Sequence, residues 1–146
     1  MKINDYFINM ARTTSERSSC CRAKVGCVLT TRSGFVISTG YNGTPSGVEN
    51  CDKGGCIRCN SRVITPGDYE KCICVHAEQN AIAIAARLGA VTNDSIAYTT
   101  IIPCLKCLTL LRQAGAFQIV HSSDGVERVF DGQHSLMLRY FMVIEV

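Results

Sequence analysis

The sequence predicts an α/β domain, with helices packed on a largely mixed sheet. Three observations carry that reading. Short β-rich segments alternate with two strongly helical ones, and Gly and Pro fall where helices should begin and end. A length of 146 residues at 47% hydrophobic composition suffices for one core but leaves no room for a second domain of ordinary size, so residues 1–146 are read as a single domain.

Each element follows from local signals. Ile3, Phe7, Met10 and Ala11 recur at helical spacing, so the chain should open on a helix. Val25, Cys27 and Leu29 alternate with Gly26 and Val28, and residues 35–41 are rich in strand formers. Ser33-Gly34 lies between them and marks the turn of a β-hairpin. Residues 42–71 shift to Gly, Pro, Asn, Asp and Cys, and a structureless loop that long is unusual in a compact domain unless something staples it. A helix should start near Val75-His76 and run to Leu88, with Gly89 in the C′ position. Residues 95–100 read as a strand. Pro103 opens a further helix carrying Leu105, Leu108, Leu110 and Leu111, and Gly115 ends it. Residues 117–121 read as a strand, part of 125–136 as a weaker helix, and 139–146 as a closing strand. The order is then β-β-α-β-α-β-α-β behind the first helix.

Composition narrows the function. No apolar run approaches the roughly 18 residues of a membrane span. Met1-Lys2-Ile3-Asn4-Asp5 shows no apolar signal core, so secretion is not expected and the cytoplasm is. A net charge of +3 suits an anionic ligand but is not the basic stripe of a duplex-binding protein. Neither a nucleic-acid nor a membrane partner is expected. Ten cysteines without a secretory context read as metal ligands plus small buried hydrophobes, not as a disulfide framework.

The chemistry concentrates in His76-Ala77-Glu78 and in Pro103-Cys104-Leu105-Lys106-Cys107. One imidazole (His76) and two thiolates (Cys104, Cys107) would hold zinc at three tetrahedral corners and leave the fourth open for water, the mark of a catalytic site. Both segments sit at predicted helix N-termini, where the dipole favours thiolate over thiol. Pro103 costs no hydrogen bond in a first turn and pushes Ile102 toward an extended conformation, presenting the cysteines at a sharp corner. H-x-E on one helix with P-C-x-x-C opening the next matches the signature of zinc deaminases. Zinc lowers the pKa of bound water from about 15.7 to about 7. Glu78, which is not a ligand in that signature, would take the proton, deliver it to N3 of a cytosine, and assist loss of ammonia after attack at C4. Glu78 as a mere helix cap or a fourth ligand is the competing assignment.

At this point the chain resembles the deoxycytidylate (dCMP) deaminase family over nearly its whole length. Arg17-Ser18-Ser19-Cys20 with Val25-Gly26, the loop Gly40-Tyr41-Asn42-Gly43-Thr44-Pro45-Ser46-Gly47, Asn50-Cys51 with Gly54-Gly55-Cys56-Ile57-Arg58, and Val75-His76-Ala77-Glu78-Gln79-Asn80-Ala81-Ile82 are similar to that family's segments. Cys27 departs from the usual alanine after Val-Gly, which touches only local packing. The resemblance implies a three-layer α/β/α cytidine-deaminase-like fold with a mixed five-stranded sheet. It also implies deamination of dCMP to dUMP, with dCDP and dCTP as further possible substrates, supplying dUMP for thymidylate synthesis. A homo-hexamer is implied, activated by dCTP and inhibited by dTTP, with Mg²⁺ accompanying the triphosphate. Asn42 aligns with a substrate-binding asparagine, and the backbone N–H of Ala77 should meet the base carbonyl. Tyr41, Gly43 and Arg87 fall in the regulatory or interface region. Arg22 and Lys24 flank the first strand and are the candidate partners of the 5′-phosphate.

A second, structural zinc would staple the long loop. The resemblance selects Cys20, Cys51, Cys56 and Cys72 as its ligands, with Cys59, Cys21 and Cys74 as the substitutes and Cys27 as strand core. Two other functions compete. A polynucleotide-editing deaminase would need extended basic contacts and stacking aromatics, against 7% aromatic residues and no Trp here. A non-enzymatic zinc module would not need an open coordination position beside a glutamate.

Overall fold

The computed structural model describes residues 1–63, 67–122 and 131–146. Helix α1 (Ile3–Ser15) leads into strands β1 (Gly26–Thr30) and β2 (Val36–Tyr41). A short helix α2 (Ile57–Asn60), α3 (Ala77–Arg87), β3 (Ile96–Thr99), α4 (Leu105–Gln113), β4 (Gln118–His121), α5 (Gly132–Leu138) and β5 (Met142–Glu145) follow. The sheet runs β2-β1-β3-β4-β5. β1 is antiparallel to β2 and to β3, whereas β3–β4 and β4–β5 are parallel, so the expected mixed five-stranded sheet is present. A parallel neighbour needs a crossover, and α4 bridges β3 to β4.

Strand alternation sorts the core onto two faces. Cys27, Leu29, Ala97 and Ile119 bury against Ala77, Ala81, Leu108 and Leu111, with Met137 and Leu138 packed on them. Val28, Tyr98 and Val120 bury against Phe7, Ile8 and Ala11. One face therefore carries α1 and the other α3, α4 and α5, giving three layers. Of the apolar residues at helical spacing in α1, Phe7 and Ala11 are buried while Ile3 stays exposed. Cys27 is fully buried strand core, as its spacing suggests.

Two glycines set the layer spacing. A Cβ on Gly40 would run into the Ala77 carbonyl oxygen and the Ala81 nitrogen, so β2 lies directly against α3. Ser38 Oγ donates to the Ala81 carbonyl at 2.7 Å across the same contact. A Cβ on Gly26 would strike the Ala11 carbonyl, which fixes α1 against β1.

The long loop differs from a structureless one. It contains α2 and two single-turn 3₁₀ segments, Cys51–Lys53 and Asp68–Lys71, each too short for a hydrophobic period to announce. Its interior is a third cluster made of sulfur: Cys51, Cys56 and Cys59 are buried, with Cys20, Cys72 and Cys74 packed around them. The weaker helix expected within 125–136 appears as α5, and residues 125–130 of that expectation lie outside the described residues. Among the described residues no helix is long and apolar enough to cross a membrane.

Candidate active site

Three elements deliver the first cluster. His76 caps the N-terminus of α3, with extended backbone at φ −72° and ψ 158°. Its backbone N–H donates to Gln79 Oε1 at 2.9 Å, half of a capping box. Cys104 caps α4 in the same way, and Cys107 follows one turn on. Cys104 Sγ and Cys107 Sγ lie 3.5 and 3.4 Å from His76 Nδ1. The three donor atoms fall within 4.8 Å of one another. Zn–S bonds of about 2.3 Å and Zn–N bonds of about 2.0 Å imply tetrahedral edges of about 3.5–3.8 Å, so this donor set fits zinc in both chemistry and spacing.

Two residues without a sequence signal orient these donors. The Tyr69 hydroxyl meets His76 Nε2 at 2.7 Å. With Nδ1 turned to the thiols, the ring proton belongs on Nε2 and is donated to Tyr69, the usual way a metal-binding imidazole is held. His134, buried in α5, lies with Nε2 2.8 Å from the Pro103 carbonyl and clamps the corner before Cys104. Asp131 Oδ1 accepts from the His134 backbone N–H at 2.9 Å and fixes the start of α5. Neither residue belongs to a motif, and both act across distances that only the fold closes.

Glu78 is 3% exposed and lines the same cavity. Burial pushes its carboxyl up, against its own N–H and the Cys107 thiol, which favour the anion. The Cys107 contact, with His76, holds Cys104 down to about 3, while that contact and burial push Cys107 up. The pair thus shares one negative charge and releases a further proton when both bind a cation.

The cavity measures about 130 Å³ and is walled by Val25, Asn42, Ala77, Glu78, Ile101 and Cys104, with Arg22, Arg58 and Tyr69 also lining it. Asn42 is placed as expected, but its amide is already engaged. Oδ1 accepts from Val25 N at 2.8 Å, and Nδ2 donates to the Ala23 carbonyl at 2.8 Å. A ligand therefore meets its second lone pair or second N–H. Ala77 sits at the first helical position, where its N–H has no helical partner to lose. Arg22 reaches the cavity, but its Nε donates to the Cys59 carbonyl at 2.7 Å and Nη2 to the Ser61 carbonyl. Arg58, unforeseen from sequence, lies 5.2 Å over the Tyr69 ring, and its buried Nε has no hydrogen-bond partner among the described residues.

Lys24 is placed elsewhere. It lines a second cavity of about 730 Å³ with Arg17, Tyr41, Gly43, Asn80 and Arg87. All three residues expected in the regulatory or interface region therefore share one concave surface.

The four cysteines that the resemblance selects for a structural zinc do not meet at one point. Cys20 and Cys51 form a four-sulfur set with Cys59 and Cys74, and Cys56 and Cys72 form another with the same two. Cys59 lies one turn after Cys56 on α2, and Cys74 two residues after Cys72 on extended chain, so both turn inward with their neighbours.

Comparison with known proteins assigns the family. The profile of the cytidine and deoxycytidylate deaminase zinc-binding region matches residues 1–123. A deoxycytidylate deaminase of Schizosaccharomyces pombe is 44% identical over 121 residues, covering 83% of this chain and 37% of its own length. The chain thus spans little more than a third of that relative. The deoxycytidylate deaminase of Enterobacteria phage T2 is 31% identical over 144 residues, covering 78% of this chain and 76% of its own. The crystal structure of cyanophage S-TIM5 dCMP deaminase, in complex with dCMP and dUMP, superposes with a TM-score of 0.76. It is 26% identical, covering 100% of this chain and 99% of the other. By the extent of the profile match and by the T2 relative it covers, the chain belongs to the cytidine and deoxycytidylate deaminase zinc-binding family.

Proposed function

We propose that the chain hydrolyses dCMP to dUMP and ammonia, acting as one deaminase domain over residues 1–146. The observation that carries the reading is the cavity of about 130 Å³ lined by His76, Cys104, the buried Glu78, Asn42 and Ala77, with Cys107 completing the three-donor set behind it. His76 Nδ1, Cys104 Sγ and Cys107 Sγ would hold zinc, which would supply the Lewis acidity that makes water nucleophilic near neutral pH. Glu78 takes a proton from the attacking water and passes it to N3 of the base. Once the C4–O bond has formed, Glu78 carries the remaining proton of that C4 hydroxyl to the exocyclic nitrogen, the C4–N bond breaks as the C4 carbonyl forms, and ammonia leaves. The Ala77 N–H and the spare capacity of the Asn42 amide orient the base and sugar. Arg58, which lines the cavity and whose Nε has no partner among the described residues, binds the 5′-phosphate better than Arg22, whose guanidinium is already engaged through Nε and Nη2.

Several finer features rest on the resemblance together with the second cavity. Arg17, Lys24 and Arg87 make that cavity a receptor for the triphosphate of dCTP as activator, with Mg²⁺, and of dTTP as inhibitor. The assembly is a homo-hexamer, dCDP and dCTP are secondary substrates, and ten thiols without disulfides suit the reducing cytoplasm. Ammonia release from dCMP, deoxycytidine and a cytosine-containing oligonucleotide, each with and without dCTP or dTTP, tests the proposal. Turnover should be fastest on dCMP. An oligonucleotide turned over faster than dCMP would reject the substrate class.

A further inference from the structure

We infer that the long loop holds two zinc ions in one binuclear thiolate cluster, bridged by Cys59 and Cys74, rather than a single structural zinc. The two four-sulfur sets, Cys20–Cys51–Cys59–Cys74 and Cys56–Cys59–Cys72–Cys74, each keep all their sulfurs within 4.8 Å of one another, and they share two members. Two tetrahedra that share an edge have this composition: two bridging corners and four terminal ones. Tetrahedral Zn–S bonds of about 2.3 Å give sulfur–sulfur edges of about 3.8 Å. The shared edge, Cys59 to Cys74, measures 3.9 Å. Cys59 to Cys72 is 3.6 Å and Cys56 to Cys72 is 3.8 Å.

The alternatives fit less well. Disulfides need sulfurs about 2 Å apart in pairs, whereas these atoms are free thiols converging on shared centres. An iron–sulfur cluster interposes inorganic sulfide and spreads its thiolates. Two independent four-thiolate zincs would need two more cysteines than the sets contain. Cys21, 3.8 Å from Cys51 Sγ, belongs to neither set and is exposed.

The surroundings suit thiolates. Two Zn²⁺ and six thiolates would leave an excess negative charge, and Arg22 and Arg58 line the adjoining cavity. The sulfur cluster is also what the loop has in place of a hydrocarbon core, since among the described residues its buried apolar side chains are cysteines. Cys74 lies two residues before His76 and Cys59 one after Arg58, so the cluster builds one wall of the substrate cavity.

Metal analysis and native mass spectrometry of the full chain test this independently of any activity. About three zinc ions per chain are expected, one of them at the His76 site. Cys59→Ser should lose both loop zincs, Cys72→Ser only one, and Cys21→Ser none. Because a variant can fail to fold, the parent chain loaded with cadmium gives the second readout. Two of its cadmium NMR signals should split each other through the shared thiolates, and the third should not. About two zinc ions per chain, uncoupled cadmium signals, or mass loss from disulfides would each overturn the cluster and leave the deaminase proposal standing. A chain with the coupled pair but no dCMP turnover would do the reverse.

Discussion

Glu78 stands beside the ligands without belonging to their set, and that separates its role from theirs. Glu78→Gln should keep one zinc at His76, Cys104 and Cys107 while turnover falls by about 10²–10⁴-fold, the usual share of general acid–base catalysis. Metal content and kcat measured on the same sample check this, and near-normal turnover would remove Glu78 as the proton carrier. Arg58 makes a different prediction. Its guanidinium contacts the ring of Tyr69, but its Nε has no partner among the described residues. Arg58→Gln should raise KM for dCMP by about 10-fold or more, a lost charge-assisted contact, while leaving deoxycytidine turnover unchanged. Equal losses on nucleotide and nucleoside would show that Arg58 supports the fold instead. The residue scale is also where sequence reading succeeds and fails most clearly. His76, Cys104 and Cys107 are legible because soft-metal donors are few residue types at a narrow spacing. Tyr69 and His134 are not, because an orienting hydrogen bond requires only a hydroxyl or imidazole somewhere in space. Among seven loop-side cysteines, spacing allows many sets of four, and only folding shows that Cys59 and Cys74 are shared.

At the scale of elements, α3 is positioned by its contact with β2, and Gly40 is the point of closest approach. Gly40→Ala should cost about 1–3 kcal/mol or more, because the opposing atoms are helix backbone and cannot rotate away. A urea midpoint equal to the parent's would mean that the two layers slide freely. Turnover should fall along with stability, since any shift of α3 moves His76 and Glu78 together. Strands and long helices were readable from period and punctuation: β1, β2, α3 and α4 lie close to their expected positions. The loop was not. Its turns of three or four residues have no hydrophobic period, and its order comes from sulfur atoms brought together from residues 20 to 74.

For the whole molecule, stability rests on a hydrocarbon core on each face of the sheet, to which the proposed zinc sites would add metal–thiolate bonds. Zinc binding requires deprotonated cysteines, so its contribution is present where they are thiolates and is lost as pH falls and they take up protons. Melting temperature should therefore drop on mild acidification in the zinc-loaded chain, and far less after chelation. A chelated chain with the parent's melting temperature and the same acid profile would show that the metals add nothing to stability. At free zinc near a hundred times Kd, one site that binds only the folded state contributes about 2.7 kcal/mol. The mixed sheet was legible as a class because crossover helices follow β3 and β4 in the sequence, whereas the strand order depends on long-range pairing that no local signal reports.

Tyr41 and Asn42 are neighbours in the chain, yet Tyr41 lines the larger cavity and Asn42 the smaller. Helix α3 divides in the same way, with Ala77 and Glu78 on one side and Asn80, Ala83 and Arg87 on the other. Asn80 Nδ2 donates to the Tyr41 carbonyl at 2.6 Å and ties the two halves of this partition together. The two cavities therefore share the backbone of residues 41–42 and one helix, a route by which occupants of the two would be coupled. Thermodynamic reciprocity then fixes the arithmetic: whatever factor the first occupant applies to the affinity of the second, the second returns to the first.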